Sequence, residues 1–366
     1  MFNFYLSWDY IHWTRPSGPV PPPPKGLERE FIKTPDGDIE ILSSIPSDRN
    51  PSFPPVVFAH GGMGCAWMWT PYMRYLAARG ITSYAISTRG HGNSWHPSFL
   101  RMLYTVTKRD LGDDLLAGIK AVEQKENSQV VLVGHSSGGG LSQFLLNEGD
   151  VKVKGLALLG AVPGTGSYKV YLNWARFDPW FSIRMLIHGW HSNSPLSHPF
   201  LVRRAFFSDD YPDADLQEFT RHLNRYESFL WPLGMLLPFT DPRKILRSIT
   251  GWGQSSTSSS SAERVLIMAG TGDKMMTREV QENSASTFRA AYSELVAKGE
   301  IKGTDSESVV PLSSSGSTVA ASTGSELDNI GHGVQLAYVP GAGHHLQNDT
   351  MWEIGAEKLF RFLEQL

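Results

Sequence analysis

Short apolar runs recur along the chain, separated by segments in which apolar residues return every three or four positions. The runs are residues 55–60 (PVVFAH), 81–87 (ITSYAIS), 130–134 (VVLVG), 155–162 (GLALLGAV), 264–270 (RVLIMAG) and 334–340 (VQLAYVP). Unbroken apolarity over five to eight residues predicts strands buried on both faces, as in a parallel sheet. The periodic segments predict helices over 71–79 (stopped by Gly80), 110–124, 137–146 and 351–363. Ahead of them, two strand-like runs at 27–33 and 39–45 flank the turn TPDG at 34–37, which predicts a β-hairpin. A hairpin followed by repeated strand–helix units implies an α/β fold, with a mostly parallel sheet and helices on both faces.

Three stretches break the alternation. Residues 168–241 are dense in Trp, Phe, Tyr, Leu and Met, and predict several helices inserted between two sheet strands, the composition of a cap over an apolar pocket. Residues 253–263 and 303–333 are rich in Ser, Thr, Gly and Ala without apolar periodicity, and are expected to be exposed loops. At the N-terminus an aromatic arm ends in the polyproline connector 21–24. The expected organisation is therefore an arm over 1–26, a sheet-forming core over 27–167, the helical insertion over 168–241, and the rest of the core over 242–366.

Composition narrows the function. Charged residues make up 19% of the 366, below the roughly 25% usual for soluble domains, and the formal net charge is −3. Nothing in that balance points to nucleic acid as a partner. The single cysteine, Cys65, excludes an intramolecular disulfide and a cysteine-based zinc site. The first residues lack a basic segment and a signal-type apolar run, and no window reaches the roughly 18 apolar residues of a spanning helix. A cytoplasmic protein without a transmembrane segment is expected.

The candidate chemistry lies at the ends of the predicted strands. In VVLVGHSSGGG, the pattern G-x-S-x-G spans Gly134, His135, Ser136, Ser137 and Gly138, between a buried strand and a helix. That context describes a nucleophile elbow, with Ser136 presented at the top of the sheet near a helix N-terminus. A serine hydroxyl needs a base, and the base needs an orienting acid. Asp273 follows the apolar run VLIMAGTGD, and His344 follows LAYVPGAGH, in the order expected for this elbow. His345 is the alternative base. His60 and His91, in glycine turns, suit structural hydrogen bonding, His332 is expected to be a bystander, and His188 and His191 are expected on the cap surface. Backbone N–H donors for an oxyanion are expected from Ser137 and from the loop FAHGGMG, with Gly62 first and Met63 second. This chemistry requires no metal and no cofactor.

Together HGGMG (60–64), RGHGNS (89–94), GHSSG (134–138), the Asp273 strand end and GAGH (341–344) resemble the serine α/β-hydrolase superfamily, nearest to its monoacylglycerol-lipase, lysophospholipase-like and esterase branch. The resemblance runs from Leu27 to Leu366, outside the two Ser-rich loops. It implies an eight-stranded, mostly parallel sheet and a helical cap after the sixth strand. Ser136 at the nucleophile position departs from the epoxide hydrolases and haloalkane dehalogenases, which carry Asp there.

Trp67, Trp69, Trp95 and Met275 flank these motifs and are the candidate substrate contacts. With low charge and many aromatics, they favour a small apolar ester as the partner molecule. The expected activity is carboxylic-ester hydrolysis through an acyl-Ser136 intermediate. Two rivals stand beside it: the same residues applied to a C–C hydrolase, lyase or cyclase reaction on a polyketide-like metabolite, and a ligand receptor that keeps the fold without turnover.

Overall fold

The computed structural model describes residues 4–254, 263–303, 308–312 and 327–366. The strands are β1 (Glu28–Lys33), β2 (Asp38–Ser44), β3 (Val56–Ala59), β4 (Ser83–Ile86), β5 (Val131–His135), β6 (Gly155–Leu159), β7 (Val265–Gly270), β8 (Val310–Pro311), β9 (Asn329–Gly331) and β10 (Val334–Val339). They form one sheet in the order β1-β2-β4-β3-β5-β6-β7-β10-β9-β8. The strands from β4 to β10 in the middle of this order pair in parallel, and antiparallel strands close both edges.

Among the described residues the sheet has ten strands rather than the eight that the resemblance implies. The additional pair, β8 and β9, falls in the stretch 303–333 that composition assigns to a loop. Apolarity could not signal it: β8 is a two-residue edge strand exposed on both residues, and β9 is a three-residue, mostly half-buried strand between β8 and β10. Residues 304–307 and 313–326 of that loop, and 255–262 of the other, lie outside the described residues.

Alternation along the parallel strands explains why their sequences are continuously apolar. Val57 and Ala59 of β3, Leu132 of β5 and Ile267 of β7 face one core cluster. Val56 and Phe58, Val131 and Val133, and Leu266 and Met268 face the other. Both faces are dry because helices cover both. These helices are α1 (Thr70–Ala77), α2 (Phe99–Thr105), α3 (Lys108–Glu126) and α4 (Ser136–Glu148), with five more in the insertion: α5 (Tyr168–Phe177), α6 (Phe181–Ile187), α7 (Pro199–Phe206), α8 (Asp213–Arg221) and α9 (Leu230–Leu233). Then follow α10 (Pro242–Arg247), α11 (Arg278–Ala297) and α12 (Trp352–Glu364). Helix α3 opens with a reciprocal cap, the Thr107 hydroxyl taking the Asp110 N–H while the Asp110 carboxylate takes the Thr107 N–H.

The twenty-residue α11 escapes a reading based on large apolar residues. Its buried stripe mixes Gln281, Ser284, Ala285 and Ala291 with Val280, Phe288 and Leu295, so the helical period is written partly in small and polar side chains. Helices α5 to α9 lie between β6 and β7, where an insertion is expected. The N-terminal arm packs against them through aromatic contacts, Tyr5 on Phe200 at 4.2 Å and Trp8 on His188 at 4.6 Å between ring centroids. His188 and His191 are therefore buried rather than on the surface. The arm covers them, His191 Nε2 lies 2.8 Å from the His12 carbonyl, and His188 Nδ1 lies 2.9 Å from Ser194 Oγ. No described helix is long and apolar enough to cross a membrane.

Candidate active site

The carboxyl ends of β5, β7 and β10 bring three side chains together. Strand β5 ends at His135 and α4 begins at once, so Ser136 turns the chain with a φ of 52°, in the left-handed region. The turn closes this tightly only because its neighbours lack side chains: a Cβ on Gly138 would stand 2.1 Å from the His60 carbonyl oxygen, and one on Gly134 2.5 Å from Gly139 Cα. The Ser136 carbonyl accepts the Val162 N–H at 3.0 Å, which fixes the turn against the end of β6.

Ser136 Oγ lies 2.9 Å from His344 Nε2, and His344 Nδ1 lies 2.8 Å from Asp273 Oδ2. Asp273 and His344 are buried, and Ser136 is half-buried. The other Asp273 oxygen accepts the N–H groups of Met275 and Met276 at 2.8 and 2.9 Å, which aims the carboxylate. A carboxylate oxygen only accepts, so Nδ1–H is donated to it and the Nε2 lone pair faces the serine hydroxyl. The arrangement can move a proton from Ser136 Oγ to His344 Nε2 and hold the imidazolium that results. His345 points elsewhere, its ring among His135, Phe206 and Phe219, and burial holds it well below the usual histidine range. Of the two candidate bases, only His344 reaches Ser136.

The loop after β3 carries the two remaining N–H groups considered. Gly62 N–H donates to Ser137 Oγ at 2.9 Å, so it faces the helix end beside Ser136. Met63 N–H instead donates to Glu227 Oε2 at 2.9 Å, and is already partnered. His60 keeps the structural role expected of it: Thr88 N–H donates to its Nε2 at 3.2 Å, and burial, with the neighbouring His91, pushes it down to about 3.

A cavity of about 150 Å³ adjoins Ser136, lined by Gly62, Ser137, His344, Met275 and Met276 from the core, and by Val170, Trp174, Phe206 and Trp231 from the inserted helices. Of the four candidate substrate contacts only Met275 is there. Trp69 is fully buried and stacks on Phe58 at 4.5 Å in the opposite core layer. Trp67 stacks on His222 at 3.8 Å and borders a separate cavity of about 630 Å³ beneath the N-terminal arm, which does not include Ser136. Trp95 lies under the guanidinium groups of Arg89 and Arg101, 5.6 and 5.2 Å from its ring centroid. Proximity in sequence to a motif does not set direction, and none of these three indoles lines the Ser136 cavity.

Sequence reasoning missed two buried carboxylates. Asp349 accepts the N–H groups of Gly343 and Ser208 at 2.7 and 2.8 Å and so pins the loop that carries His344. Glu227 reaches the Ser136 cavity from the inserted segment. An acid two residues ahead of the apolar stretch 229–239 was its only signal. Among the described residues no group of three or more His, Cys, Asp or Glu side chains is placed to hold a metal ion.

Residues 56–353 match the family described as "Alpha/beta hydrolase family". The chain belongs to that family. Solved structures similar to this alpha/beta hydrolase include an esterase from Exiguobacterium antarcticum, 19% identical, covering 91% of this chain and 98% of that one with a TM-score of 0.56. Another is a serine hydrolase involved in carbazole degradation, the CarC enzyme, 16% identical over 92% and 98% of the two chains, with a TM-score of 0.55. A third is a membrane phospholipase A, described as a bacterial virulence factor, at 14% identity, 93% and 86% coverage and a TM-score of 0.57. At these identities the likeness is one of fold.

Proposed function

We propose that this alpha/beta hydrolase cleaves a carboxylic ester of an apolar small molecule, with Ser136 as nucleophile, His344 as general base and acid, and Asp273 as the group that orients His344. The observation that carries the reading is the unbroken chain from Asp273 Oδ2 through His344 to Ser136 Oγ, with links of 2.8 and 2.9 Å, opening on an apolar cavity. His344 Nε2 takes the hydroxyl proton as Oγ attacks the ester carbonyl carbon. The same proton then passes to the departing alkoxide, leaving acyl-Ser136. Water repeats the sequence and frees the acid. The N–H groups of Ser137 and Gly62 hold the oxyanion once the Ser137 hydroxyl turns off Gly62. Their contribution is typically about 3–4 kcal/mol per donor.

In this reading the inserted helices act as a cap. A cavity of about 150 Å³ is of the size that encloses a single aromatic ring, so a short or single-ring acyl group is the substrate class that fits it. The esterases among the similar folds support the reaction type by analogy.

The test is labelling by a fluorophosphonate together with turnover of p-nitrophenyl esters of increasing acyl length. Wild type is expected to be labelled and to prefer the short esters, and Ser136→Ala to lose both signals. Label persisting on Ser136→Ala overturns the assignment, and labelling without turnover of any ester transfers the same residues to a non-ester reaction.

A further inference from the structure

We propose that Glu227, supplied by the inserted helical segment, is a positioning residue that holds the oxyanion loop in working order, acting as a buried ion pair with His91. The inference rests on the acyl-transfer reading above and adds a residue to it.

Glu227 is 5% exposed and borders the Ser136 cavity. Its Oε2 accepts Met63 N–H at 2.9 Å and stands 2.8 Å from His91 Nε2, while Oε1 accepts Ser228 N–H at 2.8 Å. Three residues earlier on the same segment, Asn224 N–H donates to the Met63 carbonyl at 2.9 Å. The inserted segment thus grips Met63 by both its N–H and its C=O. That grip matters because Met63 has a φ of 63°, a conformation a non-glycine residue keeps only under external constraint. With Met63 held, the preceding peptide presents Gly62 N–H to Ser137 and the Ser136 side of the loop.

The protons can be placed by chemistry. His91 Nδ1 lies 2.9 Å from the Arg89 carbonyl, which only accepts, so Nδ1 carries a hydrogen. Nε2 and Glu227 Oε2, 2.8 Å apart, share one hydrogen, and the Glu227 charge and hydrogen bond that raise His91 favour it on Nε2. The pair is imidazolium and carboxylate, charged internally and neutral as a whole. Burial alone would lower the His91 pKa, and the Glu227 charge and hydrogen bond outweigh it and raise it. The other charged or titratable groups facing the pair are His60, its ring tilted by 46° with the centroid 4.6 Å away, His96, whose own protonation the His91 charge opposes, and Asp114 of α3, itself matched by the Arg89 guanidinium at 2.7 Å.

Neutrality has a purpose here. A Cβ on Gly62 would stand only 3.9 Å from Glu227 Oε2, so an unbalanced carboxylate would sit beside the forming oxyanion and oppose it. With His91 protonated, the grip on Met63 is kept without that opposing charge.

The experiment uses the full chain, with fluorophosphonate labelling rates and p-nitrophenyl acetate kinetics from pH 5.5 to 9 and a melting temperature for each variant. Glu227→Ala is expected to lower the labelling rate and kcat about 10- to 100-fold, somewhat less than deletion of an oxyanion donor, with KM within about threefold. Glu227→Gln keeps an oxygen for Met63 N–H. It is expected to retain kcat within about fivefold near pH 6 and to lose the alkaline decline that wild type shows as His91 deprotonates. Wild-type rates in Glu227→Ala overturn the proposal, as does a Glu227→Gln profile that keeps the wild-type alkaline limb. Should Glu227→Ala not fold, the Glu227→Gln profile decides alone. Ser136→Ala, run in parallel, separates the two inferences: label on that variant defeats the acyl-transfer reading, whereas normal rates in the Glu227 variants defeat only this one.

Discussion

At the scale of single residues, this site is built as much from missing side chains as from present ones. Gly138 lets α4 begin directly under the loop after β3, because no Cβ meets the His60 carbonyl oxygen. A methyl group 2.1 Å from a backbone oxygen has no rotamer in which to escape, so strand, loop or helix must move. Gly138→Ala is expected to destabilise the fold by about 3 kcal/mol, the upper end for overpacking, and to slow fluorophosphonate labelling of the fraction that folds. Urea denaturation followed by tryptophan fluorescence measures the first effect, and an unchanged midpoint would show that the turn relaxes freely.

Elements matter next, and the loop after β10 shows how. His344 is positioned by contacts on both sides of its own peptide. Its carbonyl lies 2.9 Å from His135 Nε2, the preceding Gly343 N–H donates to Asp349, and the following His345 N–H donates to the Phe206 carbonyl at 2.8 Å. Asp349 also accepts the Ser208 N–H, joining this loop to the residues just after α7. Truncation there leaves several buried N–H groups without partners, each worth about 1–3 kcal/mol. Asp349→Ala is expected to cost about 3 kcal/mol of stability and to lower ester turnover by about an order of magnitude as His344 loses its fixed position, whereas Asp349→Asn keeps one accepting oxygen and loses less. Circular-dichroism melts and steady-state kinetics on the two variants check this, and equal losses in both would argue against hydrogen-bond geometry as the cause.

On the scale of the whole molecule, burial of histidines ties stability to pH. Burial pushes His60 down to about 3, and holds His135 and His345 well below the ordinary value of 6.5. Below pH 6.5 the unfolded chain takes up protons at these positions and the folded chain does not, so stability is full above 6.5 and is lost as pH falls toward the folded values. Each such histidine contributes a slope of up to about 1.4 kcal/mol per pH unit. The raised carboxyls of Asp114 and Asp328 act in the opposite sense at lower pH, and the raised His91 opposes above its ordinary value, but three lowered rings outweigh that one, so pH 7 and pH 5.5 are the pair to compare. The melting temperature is expected to fall between them, and differential scanning fluorimetry showing it level would overturn the assignment of these rings as buried and neutral.

The parallel strands, the elbow and the order of Ser136, Asp273 and His344 were legible in the sequence because each depends on local chemistry. Strands buried on both faces must be apolar throughout, and a turn as tight as that at Ser136 must be flanked by glycine. The short strands β8 and β9 and helix α11 were less legible, since two or three residues, or small ones, carry no strong period. Which of the apolar side chains near the motifs and in the insertion face the cavity was decided by the tertiary structure. Trp67, Trp69 and Trp95 stand next to the motifs in sequence yet point elsewhere, Phe206 and Trp231 of the aromatic insertion do line the cavity, and Glu227 arrives there from the same segment without an apolar signal. The chain writes its strands and turns into neighbouring residues. The lining of a cavity depends on where separate elements pack, and that direction is not encoded within any one of them.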